Sequence, residues 1–411
     1  MVLQNIVSQH AEESAFLWLL RDDAVTAPHY RLDDLIHLES RIDAHLDGIK
    51  VAGSAGWDHC VEQLGFSEKG EVFTAAYTAL DSAIEAGLAP VLEVLRQAPE
   101  ATRGLVSALG WVEQGRLQGH VVGWLQSEDP LLRQVGLSAC AIRRVDCGEY
   151  LKAGVEDADP QVRARALRSV GEIRRRELLP MLLTQLGDSD ADCRFWAAWS
   201  ACLLGSPEAE AELQQFAETP GVHQRPALEL LMRNPNSALP VACLRSLSQK
   251  QPGCREVVEA SGWFGDPASL PWLLEQMKQP AMARVAGEAL SLITGLDLTY
   301  LDLDGDMPDD FEAGPTDDPQ DERVALDEDE DLPWPDRDKL VIWWQAHQSE
   351  FTTGRRYLCG QPIDLGQCRE VLRSGFQRQR RAAALEWAML ESDRVLFNTA
   401  DRGERQRAQL A

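Results

Sequence analysis

The chain has 411 residues, 44% of them hydrophobic, and a formal net charge of −26. It is too long for one ordinary hydrophobic core, and its negative charge excludes direct binding to DNA or to an anionic membrane, whose phosphates would repel it. No run approaches the roughly 18 apolar residues of a membrane span. Met1-Val2-Leu3-Gln4-Asn5-Ile6-Val7 has neither a basic start nor a long apolar stretch, so a soluble, cytoplasmic protein is expected. Its 9 cysteines, an odd number with no Cys-x-x-Cys, fit a reducing compartment and small buried thiols.

Residues 1–70 carry helical patterns around His10-Ala11-Glu12-Glu13, Leu17-Trp18 and Asp43-Ala44-His45-Leu46, and could form a small domain of their own. Leu46-Asp47-Gly48-Ile49-Lys50-Val51-Ala52-Gly53 reads as a candidate short strand. His37 and His45 share a helical spacing beside Glu39, but no His-Glu-x-x-His or Cys/His cluster accompanies them, so no metal is assigned.

From residue 71 to 297 the chain repeats itself. Arg103, Arg133, Arg163, Arg194, Arg225, Arg255 and Arg284 are separated by 30, 30, 31, 31, 30 and 29 residues. In the unit around Arg163, Asp157-Ala158-Asp159-Pro160 reads as a helix N-cap followed by a proline in the first turn, where a missing N–H costs nothing. Val162, Ala166, Leu167 and Val170 then share one face, Gly171 can end the helix, and Leu178 to Leu186 mark a second helix. Each unit is a helical hairpin that cannot bury its apolar face alone, so neighbours must stack. The arginine at the start of each inner helix can reach a carboxylate or loop carbonyls next to it, which makes the seven a structural ladder. Gly70-Glu71-Val72-Phe73-Thr74-Ala75-Ala76 keeps the register with Phe73 in place of Arg, as a terminal capping unit would.

The motif Asp-Pro-x-Val-Arg-x-x-Ala at this period resembles HEAT repeats of the short, phycobilisome-lyase-like type, over about residues 90 to 295. The resemblance implies an all-α, HEAT/armadillo-like α-solenoid of about seven to nine helical-hairpin repeats.

Residues 298–337 interrupt the pattern. Between Asp302 and Asp336 there are 16 acidic residues against Arg323 alone, a net −15, and five prolines. Low hydrophobicity and self-repelling charge predict a disordered acidic loop. Asp302-Leu303-Asp304-Gly305-Asp306 opens like a calcium loop, but Met307 stands where the turn needs glycine and Ala313 where the bidentate Glu belongs. In residues 338–411, Lys339-Leu340-Val341-Ile342-Trp343-Trp344 starts a helix capped by Asp336 or Asp338. An irregular link follows through Gly354, Gly360 and Pro362, and a helical pair around Cys368–Leu372 and Gln379–Leu390 is expected to pack on the solenoid.

The ordered series Ala286-Gly287-Glu288-Ala289, Ile293-Thr294-Gly295, Asp331-Leu332-Pro333-Trp334-Pro335, Trp343-Trp344, Gly354-Arg355-Arg356-Tyr357-Leu358-Cys359-Gly360 and Gln377-Arg378-Gln379-Arg380 is similar to a bacterial HEAT-repeat family encoded beside type VI secretion genes. That resemblance implies an immunity protein that binds and neutralises a cognate toxin, a nuclease among the candidates; an adaptor or chaperone for a secretion effector is the alternative. No Gly-x-Ser-x-Gly turn, catalytic Cys signature or phosphate-binding glycine loop is present, so no enzyme and no cofactor are expected, and an activity of the bilin-lyase type ranks third. A basic protein partner would be met by Asp327, Glu328, Asp329, Glu330 and Asp331, with Trp334 as an aromatic anchor, unless that run is only a solvated linker.

Overall fold

Asp129, Asp159 and Asp190 each precede a helix and accept hydrogen bonds from backbone N–H groups in its first turn, and Pro130 and Pro160 occupy the position that has no N–H to satisfy. A computed structural model of the protein describes residues 4–84, 87–234, 237–250, 253–309, 311–314 and 326–411. The fold is all-α, of the α-solenoid class, with 22 helices and one two-residue hairpin among the described residues. It divides into two compact units: residues 1–26, 30–204 and 393–411 form unit 1, and residues 27–29 and 205–392 form unit 2.

Unit 1 opens with α1 (Gln4–Ala24), α2 (Leu32–Ala52), α3 (Ser54–Gln63) and α4 (Lys69–Asp81). The segment read as a strand is the last turns of α2: Leu35, Leu38, Ile42, Leu46 and Ile49 recur at helical spacing and are all buried, and α2 runs on until Gly53 turns the chain with φ 63°. Burying that continuous stripe outweighs the local turn signal of Asp47-Gly48. The next helices alternate as α5 (Leu88–Gln97), α6 (Thr102–Trp111), α7 (His120–Leu125), α8 (Pro130–Ile142), α9 (Glu149–Val155), α10 (Pro160–Glu172), α11 (Leu179–Gln185) and α12 (Ala191–Leu203). Here α4, α6, α8, α10 and α12 stack in order as the inner row.

Phe73 sits at the ladder position of α4 without exposure, stacked on Trp18 at 5.2 Å and edge-on to Trp111 at 5.1 Å. Because α1 covers this end of the row, an aromatic ring finds partners there that a guanidinium would not. Gly104 allows α6 to touch α4, since a Cβ would lie 2.1 Å from the Lys69 carbonyl oxygen.

Unit 2 continues with α13 (Glu210–Glu218), α14 (Gln224–Leu231), α15 (Leu239–Lys250), α16 (Arg255–Phe264), α17 (Leu270–Gln276) and α18 (Pro280–Thr294). After the acidic segment come α19 (Arg337–His347), capped by Asp336, then strands β1 (Tyr357–Leu358) and β2 (Gln361–Pro362), and α20 (Leu365–Ser374) paired with α21 (Gln377–Leu390). The link read as irregular therefore contains a small antiparallel hairpin, with Tyr357 opposite Pro362. Its backbone crosses the ends of α16 and α18, where Tyr357 N–H donates to the Gly265 carbonyl (2.8 Å) and Cys359 N–H to that of Leu292 (2.7 Å). Residues 393–411 leave the C-terminal block and join unit 1, ending in α22 (Gly403–Leu410), which packs on α2.

The inner helices α8 and α10 of unit 1 close on left-handed residues, and these are arginines: Arg144 at φ 56° and Arg174 at φ 64°. Their side chains hold the returning tail, Arg144 Nε donating to the Leu396 carbonyl (2.9 Å) and Arg174 Nε to that of Arg394 (3.0 Å). Leu396 N–H in turn donates to the Glu172 carbonyl at 2.9 Å. A left-handed backbone costs a side-chain-bearing residue about 1 kcal/mol or more, and here it places a guanidinium against the strap.

Candidate protein-interaction site

The arginine row has two kinds of partner. In unit 1, Arg133 grips Asp157 with both Nε (2.7 Å) and Nη2 (2.8 Å) while Nη1 donates to the carbonyls of Ser127 and Glu128. Arg163 repeats the pattern with Asp188 and the carbonyls of Asp157 and Ala158, and Arg194 donates to the carbonyls of Asp188 and Ser189. Each such fork ties one hairpin to its neighbour and also fixes its own loop. Arg103, at the end of the row, reaches Asp22 on α1 at 2.6 Å.

In unit 2 the last two arginines of the row, Arg255 and Arg284, take partners from the acidic segment. Arg255 forms a two-pronged pair with Asp329, both contacts at 2.7 Å, and Arg284 meets Asp327 at 2.7 Å and the Asp329 carbonyl at 2.8 Å. Arg284 is buried, with its guanidinium 4.6 Å from the centre of the Trp334 ring and 5.5 Å from that of Phe311. Asp329 is 5% exposed, so this stretch of the loop is anchored rather than solvated, whereas residues 310 and 315–325 of the expected disordered loop lie outside the described residues. Of the candidate partner-binding set, Asp327, Asp329 and Trp334 are thus engaged within unit 2. Glu328, Glu330 and Asp331 face solvent, Glu328 with its side chain 78% exposed although 3.7 Å from Arg255, and Asp331 59% exposed although 3.8 Å from His29.

A second row stands four residues after the last three arginines: Glu229, Glu259 and Glu288. Arg225 of one hairpin reaches Glu259 of the next at 3.0 Å, Arg255 lies 3.4 Å from Glu259, and Arg381 of α21 closes on Glu229 at 2.7 Å. Burial pushes the carboxyls of Glu259 and Glu288 above the ordinary range, against the opposing pull of Arg225 on both. Burial also acts on Glu229, but Arg381, Arg233 and Arg225 outweigh it and hold its carboxyl low. The corresponding positions of unit 1 are Ser107, Leu137, Leu167 and Ala198. This glutamate row was missed by sequence reasoning, although the same period that picks out the arginines, shifted by four, marks it.

The segments that carry the resemblance after residue 286 come together here. A Cβ on Gly287 would lie 3.3 Å from Pro335, and one on Gly295 2.7 Å from Cys359. Burial, and after it the charge of Glu288, push the Cys359 thiol up, and Arg378 draws the Glu288 carboxyl down against its burial. Trp263 is half-buried beneath the Arg225 guanidinium at 5.5 Å.

No group of His, Cys, Asp or Glu able to hold a metal ion occurs among the described residues, and no described helix is long and apolar enough to cross a membrane. No curated protein matches the chain. The family model for HEAT repeats matches residues 149–232, which run from α9 through the paired helices around Arg163 and Arg194 to the Arg225 helix. With that match and stacked hairpins tied by a periodic arginine, the chain is a HEAT-like repeat protein.

Proposed function

We propose that this protein is a non-catalytic scaffold that binds a basic protein partner through Glu328, Glu330 and Asp331, and that the partner is a toxin it neutralises, in the manner of an immunity protein of a type VI secretion system. HEAT repeats serve as protein-interaction scaffolds, and one observation carries the reading further: Arg255 and Arg284 fix Asp329 and Asp327, so the acids between and after them project from a held backbone. A carboxylate edge already immobilised spends less entropy on binding than a free loop would, and it draws a cationic surface towards it. Nuclease toxins expose such a surface because their substrate is a polyanion.

The test is growth of cells expressing a toxin encoded beside this gene, with and without this chain. Rescue by the wild type, reduced when Glu328, Glu330 and Asp331 are replaced by Ser, supports the reading. Cells that stay poisoned although the two proteins co-purify would point instead to an adaptor that carries an effector without inhibiting it.

A further inference from the structure

Unit 1 contains a recess of about 290 Å³ where the returning tail crosses the ends of the inner helices, lined by Arg143, Arg144, Arg394, Asn398, Asp401 and Gln409 among others. In a chain of net charge −26 this recess carries surplus positive charge. Its lining carboxylate, Asp401, is taken by Arg405 at 2.5 Å and by the Arg402 backbone N–H at 2.8 Å. Arg143 makes no ion pair among the described residues; its Nε and Nη2 donate to the backbone carbonyls of Leu109, Gly110 and Val112, while Arg405 repels its charge and Asp401 attracts it. Arg144 shares Glu172 with Arg165 and Arg168, three guanidiniums around one carboxylate. Arg144 Nε and Nη1 donate to the carbonyls of Leu396 and Ala141 with the side chain 18% exposed, and Arg143 is half-buried, so both guanidiniums stand at the border between the recess wall and solvent.

We propose that this recess binds a phosphate-type oxyanion, either free or as a phosphate monoester. The size admits a tetrahedral anion with a small substituent, and planar guanidiniums presenting paired N–H donors suit its oxygens. Asn398 and Gln409 add neutral polar groups at the wall. Burial, followed by repulsion from Arg405, disfavours the charged form of Arg143; burial, partly offset by Glu172, does the same for Arg144, and an added anion would relieve both. The inference is independent of the protein-binding role, since it uses no residue of unit 2.

Isothermal titration of the full-length chain with inorganic phosphate, and in parallel with glycerol phosphate, tests it, with sodium chloride at matched ionic strength as the reference. One saturable site is expected, weakened about tenfold or more in Arg394→Gln and in Arg143→Gln, because each removes charge-assisted donors. Arg394→Lys, which keeps the cation, should retain part of the affinity. Tighter binding of the ester identifies a monoester ligand, and tighter binding of phosphate a free oxyanion; either supports the site. Should Arg143→Gln fail to fold by circular dichroism, Arg394→Gln alone decides. Heat indistinguishable from that of chloride, or full affinity in Arg394→Gln, would overturn the proposal.

Discussion

Arg284 uses its whole guanidinium: one edge on Asp327, another on the Asp329 carbonyl, one face towards Trp334. Replacing it by Ala leaves a partly buried carboxylate without its partner, so Arg284→Ala should cost about 3 kcal/mol and expose Trp334, read as a lower denaturation midpoint and a red-shifted fluorescence. The contrast is Arg103→Ala. Its pair with Asp22 is half in water, the Arg103 side chain being 52% exposed, and the loss should stay under about 1 kcal/mol. Glu172 gives a pH signature. Burial alone would raise its carboxyl, yet Arg144, Arg165 and Arg168 override burial and hold it down to about 2, below the ordinary 4.5. A lowered folded value means the stabilisation is present above pH 4.5 and drains away as pH falls from there through about 2. Acid titration of the wild type should show that loss, and Glu172→Gln should flatten the curve over the same window.

Among the elements, the inner helices of unit 1 were legible because their signals are local: Asp159-Pro160 caps α10 within three residues, and Val162, Ala166, Leu167 and Val170 all face inward. The end of α2 was not, because a Gly-containing run looks strand-like until the stripe from Leu35 to Ile49 is followed through it. The candidate site was half legible. Its acids and Trp334 stand in the sequence, but the bonds from Arg255 to Asp329 and from Arg284 to Asp327 span 74 and 43 residues, and only the tertiary fold brings them together. Helix contact is also demanding where backbones nearly touch. Gly104→Ala should destabilise the protein by about 2 kcal/mol, since the new methyl must push α6 away from the Lys69 carbonyl, and differential scanning calorimetry would record the drop.

At the scale of the whole molecule, charge is sorted rather than spread. The stretch from Asp302 to Asp336 holds −15 of the net −26, while the recess by the tail is cationic. Association with a basic partner should therefore be fast at low ionic strength and slow markedly as salt rises. Neutralising Glu328, Glu330 and Asp331 should reduce that salt dependence while the unfolding free energy stays within about 1 kcal/mol of the wild type; a steep fall in the association rate with unchanged salt slope would contradict the assignment.

The tail sets an order of events. Arg21 and Glu39, a buried pair of α1 and α2, are completed by the carbonyls of Ala400 and Asp401 and by Gly403 N–H. On the ribosome these residues emerge after all of unit 2 has been made, so the unit begun first is the last to be finished, and until then its opening helices wait with a polar pair only partly satisfied.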